Sequence, residues 1–447
     1  MVLRLEDTDR ERSSSAFERD ILESLRWLGI DWDEGPDVGG PYGPYRQSER
    51  MELYREHAER LLAEGKAYRC YCTPEELKRG KREAIERGSA WRYDRRCLGL
   101  TEKERSRLEA EGRPAVVRFK VPSGSIKITD LLRGEVVVDS SEIDDFTILR
   151  SDGTAVFHLS VVVDDITMKV THVIRGDDHL TNAARHVLLF GALGSPAPLF
   201  LHHSLLMEKD GGKLSKRHGS TSVSDYRRAG YLPQALTNYL ALLSWSPGDD
   251  REFFTLDDLI REFSVEGVSA SKAIFDIDKL NWLNRQHVKA LSTAELTDLL
   301  APFIERQGDP SILELPRSRL EVAVESVRNG IEVLADAVDP LSIYAIPPGD
   351  IDDKAADELQ KAEGYLYEAA SLCIRVLAAA SGDDRDSAER LVALLRDEAK
   401  ERGWSAKKVL WPLRLLVTGR TVGPDLVYLI MFWGPAGCVE RIRASLR

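Results

Sequence analysis

Apolar residues recur at helical spacing near the start of the chain. Phe17, Ile21, Leu22, Leu25 and Leu28 predict a helix capped within Ser13 to Ser15 and stopped by Gly29. Met51, Tyr54, Ala58, Leu61 and Leu62 predict a second over residues 48–64, ended by Gly65. Thr73-Pro74-Glu75-Glu76 opens a third with a capping box and proline at its first position. From Ala115 the pattern turns to short runs split by Gly, Pro and Asp: residues 116–121, 126–128, 135–138 and 146–149. Those runs predict a small antiparallel sheet. Lys169 to Ile174 reads as a buried strand, followed by a helix from Gly176 to about Leu193 and apolar pieces at 199–201 and 205–206. Helices begin again at Pro233 and Thr255, and from Leu291 onward the pattern is helical throughout, over 314–334, 353–380, 386–402 and 406–416. An α/β part therefore precedes an all-α part. Val2-Leu3-Arg4-Leu5 reads as a strand delivering Glu6-Asp7-Thr8-Asp9 at its carboxyl end, where open α/β sheets bind ligands.

Composition narrows the class. The 447 residues suffice for two to four domains, and 43% hydrophobic with 30% charged residues describes a folded globular chain. No apolar run reaches bilayer-spanning length and the N-terminus lacks the zones of a signal peptide, so the expected address is the cytoplasm, with no membrane partner. A net charge of −12 argues against indiscriminate coating of nucleic acid. A local basic face is still available, because residues 400–447 carry nine basic and three acidic side chains. Five cysteines do not make a disulfide framework; Cys373 and Cys438, in apolar settings, read as packing residues.

Three stretches carry candidate chemistry. Lys213-Leu214-Ser215-Lys216-Arg217-His218 puts three cations in six residues between glycines, which suits a polyanion whose charge grows during reaction. A solvated basic loop is the competing reading. Arg175, at the end of a predicted strand, is placed to hold a carboxylate bidentately, or to pair structurally with Asp177 or Asp178. Cys70-x-Cys72 with Cys97, and Tyr93 as a possible fourth ligand, has reasonable spacing for structural zinc; a metal-free remnant is the alternative.

Lys213-Leu214-Ser215-Lys216-Arg217 resembles the signature loop of class I aminoacyl-tRNA synthetases. With His218-Gly219, and with Arg4-Leu5-Glu6-Asp7-Thr8-Asp9-Arg10, Cys70-Tyr71-Cys72, Val162-Val163-Asp164-Asp165 and His172-Val173-Ile174-Arg175-Gly176-Asp177-Asp178-His179 in the same order, it is similar to the bacterial glutamyl type. The resemblance implies a Rossmann-type α/β catalytic domain, its first half at 1–69 and its second at 166–230. Between them, residues 70–165 form an α+β insertion for the tRNA acceptor end. A helical stem-contact segment at 231–290, where Trp282 stacks on a base or packs in the core, and an all-helical anticodon-binding domain at 291–447 follow. It also implies ligation of glutamate to tRNA(Glu), with tRNA(Gln) as a further partner in some relatives, by a monomer using ATP with Mg²⁺. Lys213, Ser215, Lys216 and Arg217 would serve the leaving pyrophosphate, Leu205 and Leu206 the adenine, and Glu6, Phe157 and Arg175 the amino acid.

The chain departs from that pattern at three points. None of its nine histidines lies in a His-Ile-Gly-His signature, which the resemblance places ahead of Arg4. The expectation is a catalytic domain truncated at its N-terminus, through an internal start or a fragment boundary, and the alternative function is a tRNA-binding module without adenylation activity. Gly99 stands where a zinc-binding histidine is common. Phe157 stands where tyrosine is usual, which forfeits one hydrogen bond of about 1 kcal/mol.

Overall fold

The computed structural model describes residues 1–8, 14–89, 91–209, 212 and 222–447. The chain divides into two compact units, one of residues 1–219 and 240–276, the other of residues 220–239 and 277–447.

In the first unit, α1 (Ser15–Trp27) starts where Ser14 Oγ accepts from the Phe17 N–H, as the serine run predicts. It buries only Leu22, while Phe17 and Ile21, expected to face the core, stand on its exposed side. The helix α2 (Met51–Ala63) buries Tyr54, Ala58 and Leu61. The strand β1 (Ala67–Cys70) follows, then α3 (Pro74–Glu86) and α4 (Glu102–Ala110), each opened by a complete capping box. Next come β2 (Val116–Phe119), β3 (Ser125–Asp130), β4 (Gly134–Asp139) and β5 (Thr147–Leu149), the helix α5 (Phe157–Thr167), β6 (His172–Gly176), α6 (Leu180–Ala192) and β7 (Leu199–His203). Two short parallel strands, β8 (Leu206–Met207) and β9 (Ala273–Ile274), and the helix Leu256–Glu262 follow.

Strand pairing differs from the single antiparallel sheet expected between residues 115 and 149. The order β1-β2-β5 forms one antiparallel sheet, whereas the β3-β4 hairpin joins β7 and β6 in a mixed sheet of order β4-β3-β7-β6. The reason is visible in β3, where Ile126 and Ile128 are buried on one face with Ala183, Leu189 and Phe190 of α6. A period-2 pattern fixes which face a strand buries but not which strand lies beside it. The strand expected at Val2–Leu5 is also absent. Only isolated bridges occur, Val2 with Glu34 and Leu5 with Arg46, because the neighbours are loop segments that offer one partner at a time.

The second unit is helical, as its pattern predicts. The expected helix 314–334 is shorter, at Arg317–Val327, and 353–380 is broken into Asp353–Lys361 and Glu363–Ala378, while 386–402 and 406–416 stand within two residues of their expected bounds, as Arg385–Glu401 and Lys407–Thr418. Its core includes Leu296, Leu300, Leu341, Leu395, Leu429 and Ile442. Cys373 and Cys438 lie in that core, and burial pushes both thiols up to about 12. Trp282 is 41% exposed, so it is not a core residue. Among the described residues no helix is long and apolar enough to cross a membrane.

Candidate active site

A cavity of about 500 Å³ opens in the first unit along β6, from His172 to Arg175. One wall is a face of α5, where Phe157, Val161 and Asp165 recur every four residues and so stack along the helix. Opposite stands the end of β6 with Arg175, and the segment before α1 contributes Arg4 and Glu6 to the rim. Three residues singled out in the sequence, Glu6, Phe157 and Arg175, are thus brought to one cavity by segments about 150 residues apart.

Arg175 is the unusual member. Its Nε donates to His202 Nε2 at 3.1 Å, Nη1 lies 3.4 Å from His186 Nδ1, and Nη2 donates to the His179 carbonyl at 3.3 Å. Among the described residues no carboxylate forms an ion pair with it. Asp177 pairs instead with Arg133 at 3.1 Å, and Asp178 lies 4.0 Å from His179, so neither takes the structural role open to it from sequence. Burial pulls the guanidinium below its ordinary value without neutralising it. The His158 and His186 imidazoles do not add charge. Burial pushes His158 down to about 4 and His186 well below its usual range, so both are neutral at pH 7. A half-buried cation among neutral acceptors and aromatic rings, with no ion pair among the described residues, can take an anion.

The opposite charges sit at the rim. Arg4 donates to Asp165 Oδ1 at 2.8 Å and to Glu6 Oε1 at 3.2 Å. Burial pushes the Asp165 carboxyl up, and the Arg4 guanidinium works against that shift. Glu6 is 40% exposed at its side chain and offers a carboxylate to a cationic ligand group. Behind the wall, fully buried Asp164 accepts from Arg50 Nε at 2.7 Å, Gln47 Nε2 at 2.9 Å and the Tyr54 hydroxyl at 2.9 Å. These bonds tie α2 and the turn before it to α5.

Phe157 lies beside His158, His179 and His186 with ring centroids 5.6, 6.1 and 5.7 Å away. Its wall therefore offers shape and no hydrogen bond. Leu205 packs against Gly176: a Cβ there would meet Leu205 Cδ2 at 2.9 Å and Asp178 Oδ1 at 2.9 Å. Leu206 pairs with Ala273 in β8–β9, and Lys209 bonds Asp276 at 2.9 Å. The segment leading toward the basic loop thus leaves from the sheet end that carries Arg175. Lys213, Ser215, Lys216 and Arg217 lie outside the described residues.

The second candidate site lies in the β1-β2-β5 region. Cys70 Sγ is 3.2 Å and Cys72 Sγ 3.8 Å from the Tyr93 hydroxyl, and Cys72 and Cys97 sulfurs are 3.5 Å apart. All three sulfurs lie within 4.8 Å of one another. Tetrahedral zinc with Zn–S of about 2.3 Å requires S···S near 3.8 Å, so the set fits the ion. Hydrogen bonds from Cys72 and Cys97 pull the Cys70 thiol below its usual range, with Arg118 adding to the effect. Arg118 covers the Tyr93 ring at 4.2 Å, and its buried Nε has no hydrogen-bond partner. That cation offsets charge which three thiolates would bring.

Sequence reasoning did not single out His202, His186, Asp130 or Val161 as site residues. The available signal was position: Asp130 and His202-His203 each follow a predicted apolar run, 126–128 and 199–201.

Residues 1–282 match the family described as tRNA synthetases class I (E and Q), catalytic domain, and residues 295–446 match an anticodon binding domain. A glutamate–tRNA ligase of Heliobacterium modesticaldum is 43% identical over 99% of this chain and 89% of its own length. Glutamate–tRNA ligase 1 of Caldicellulosiruptor saccharolyticus is 44% identical over 99% and 91%. The crystal structure of a glutamate tRNA ligase from Elizabethkingia meningosepticum, in complex with its amino acid, has a TM-score of 0.87 at 31% identity, covering 100% of this chain and 92% of that one.

Proposed function

The chain belongs to the family of class I tRNA synthetases for glutamate and glutamine, and from that premise we propose that it is a glutamate–tRNA ligase. The α-carboxylate oxygen of glutamate attacks the α-phosphorus of ATP, and the bond to the bridging oxygen breaks to release pyrophosphate. A hydroxyl of the terminal ribose of tRNA then attacks the acyl carbon and AMP leaves. One observation carries the amino-acid assignment: the Arg175 guanidinium, without an ion pair among the described residues, lies in a cavity whose rim holds the Glu6 carboxylate. Arg175 takes the side-chain carboxylate of glutamate, Glu6 faces its ammonium group, and Phe157 with Val161 forms the wall between them. Charge at Arg175 favours glutamate over glutamine.

Chemistry of this kind needs alignment of the carboxylate with the phosphate and neutralisation of the leaving group. Lys213 and Lys216, with Ser215 and Arg217, supply the second; Leu205 and Leu206 flank the adenine. Mg²⁺ bound with ATP supplies further positive charge. Residues 1–69 and 166–230 act as the catalytic halves, 70–165 receives the acceptor end, 231–290 contacts the stem and 291–447 reads the anticodon. The partners are tRNA(Glu), and tRNA(Gln) if the anticodon contacts allow it. The working form is a cytoplasmic monomer.

ATP–pyrophosphate exchange tests the proposal. Exchange dependent on glutamate, and not on glutamine, is expected in the presence of tRNA. Tight tRNA binding with no exchange would turn the reading into a tRNA-binding protein without adenylation. In an active preparation, Lys216→Ala is expected to lower the adenylation rate by roughly 100-fold or more while tRNA affinity changes less than threefold. Equal losses in both would remove Lys216 from the phosphate site.

Cys70, Cys72 and Cys97, with Tyr93 as the fourth ligand, hold one structural zinc. The purified protein is expected to contain about one zinc per chain and to unfold at lower temperature after chelation. Absence of zinc, together with a midpoint unmoved by Cys70→Ser, would leave the cluster as plain packing.

A further inference from the structure

The sheet brings Asp130, His202 and Arg175 together on three neighbouring strands. Asp130 ends β3, His202 lies in β7 and Arg175 in β6, with Asp130 paired to Phe200 and Arg175 paired to His202 in parallel register. Asp130 and His202 are fully buried at their side chains. Asp130 Oδ2 lies 2.6 Å from His202 Nδ1 and also accepts the His202 backbone N–H at 3.2 Å. Its other oxygen accepts the N–H groups of Leu132 and Arg133, both at 2.9 Å. Such a carboxylate is an acceptor only. The proton on His202 therefore sits on Nδ1, which leaves Nε2 with a lone pair directed at the Arg175 Nε–H 3.1 Å away.

This chain of donors settles how Arg175 is held. Three of its five N–H bonds go to His202 Nε2, His186 Nδ1 and the His179 carbonyl, which leaves one on each terminal nitrogen. Two remaining N–H bonds on adjacent nitrogens form the fork a carboxylate accepts. An aspartate or glutamate in the place of His202 would hold the arginine as firmly but would neutralise it, and the cavity would lose its charge selectivity. A neutral imidazole with a fixed tautomer aims the cation without quenching it.

We propose that His202, held in its Nδ1–H form by Asp130, is a positioning residue that sets the affinity for the substrate's carboxylate by orienting Arg175. The inference rests on the reading of Arg175 as the carboxylate-binding group. Two substitutions separate the bonds at His202. His202→Asn retains a polar group near Nδ1, within reach of Asp130, but nothing at Nε2; His202→Gln reaches the Nε2 position and can accept from Arg175. His202→Asn is expected to raise the KM for glutamate roughly 10- to 100-fold, with kcat and the KM for ATP changed less than threefold. His202→Gln is expected to recover most of that loss. Combined with Arg175→Ala, His202→Asn should add nothing further, since it acts through a side chain that is gone.

The outcomes distinguish the two readings. If Arg175→Ala leaves the glutamate KM unchanged, the assignment of Arg175 fails and the positioning role falls with it. If Arg175→Ala has a large effect and His202→Asn none, only the positioning role is overturned. Equal rises in both KM values with a fall in melting temperature would reduce His202 to a structural part of the sheet. Should His202→Asn fail to fold, nitrogen-15 spectra of the unaltered protein decide. The resonance missing from His202→Gln is expected to show the Nδ1–H tautomer at pH 7, and the Nε2–H tautomer would overturn the proposal.

Discussion

Arg175→Ala is expected to raise the KM for glutamate by roughly 30-fold to several thousandfold while kcat falls much less. The range follows from removing one partner of a desolvated charge pair, which costs about 2–5 kcal/mol, with a factor of ten for every 1.4 kcal/mol. The interaction is made with the substrate's side chain, remote from the reacting carboxylate, so it stabilises ground and transition states alike and its loss appears in KM. Glutamine is the internal control. Its amide gains little from a cation, so its weak use should change less than threefold, and the preference for glutamate should largely vanish. Arg175→Lys is expected to lie between, because an ammonium keeps the charge but lacks the planar fork and the Nε–H that His202 accepts.

Stability should move the other way. Among the described residues Arg175 forms no ion pair, and burial outweighs the more distant Asp165, Glu6 and Asp178 carboxylates, so its charge costs free energy in the fold. Arg175→Ala is therefore expected to leave the melting temperature unchanged or raise it slightly. Steady-state kinetics with both amino acids and a thermal melt check this together. A lowered melting temperature with an unchanged glutamate KM would return Arg175 to a structural role.

The placement of that arginine was legible in the sequence, while the geometry that makes it useful was not. An apolar run ending in Arg175-Gly176 predicts a side chain at a strand's carboxyl end, and β6 ends there, although the strand expected to be buried leaves His172 and Ile174 exposed. The four strands between residues 115 and 149 were legible for the same reason, since alternation and turn residues are local signals. Their partners were not, because pairing of β3 with β7 joins residues 70 positions apart and leaves no periodic trace. His202 and Asp130 depend on that pairing, so neither could be tied to Arg175 from sequence. Phe17 and Ile21 fit helical spacing as well as Leu22 does, yet only Leu22 is buried. Spacing reports an amphipathic face, and what covers that face is a tertiary fact.

Asp164→Ala is expected to be the most destabilising single change in the first unit. Asp164 accepts from Arg50, Gln47 and Tyr54, and it also lies 3.7 Å from Arg4 Nε. Arg50 is 4% exposed at its side chain, so truncating the aspartate strands a buried cation and three donors. Breaking a buried pair on one side costs about 3–5 kcal/mol, which corresponds to a fall of roughly 10 °C for a unit of this size. Replacing both partners is a different experiment. An Arg50→Leu, Asp164→Leu double variant removes the stranded charge along with its counter-ion, and it is expected to recover at least half of the lost stability. Calorimetry of the two single variants and the double measures that coupling. The double variant also separates holding from binding. Asp164 faces away from the cavity while Asp165, its neighbour on α5, faces into it beside Arg4. If Asp164 acts only by fastening α2 to α5, the recovered double variant keeps a glutamate KM within about threefold of the unaltered protein. A KM that stays raised after the stability returns would mean that the Asp164 charge, acting through Arg4, is part of how the rim is set.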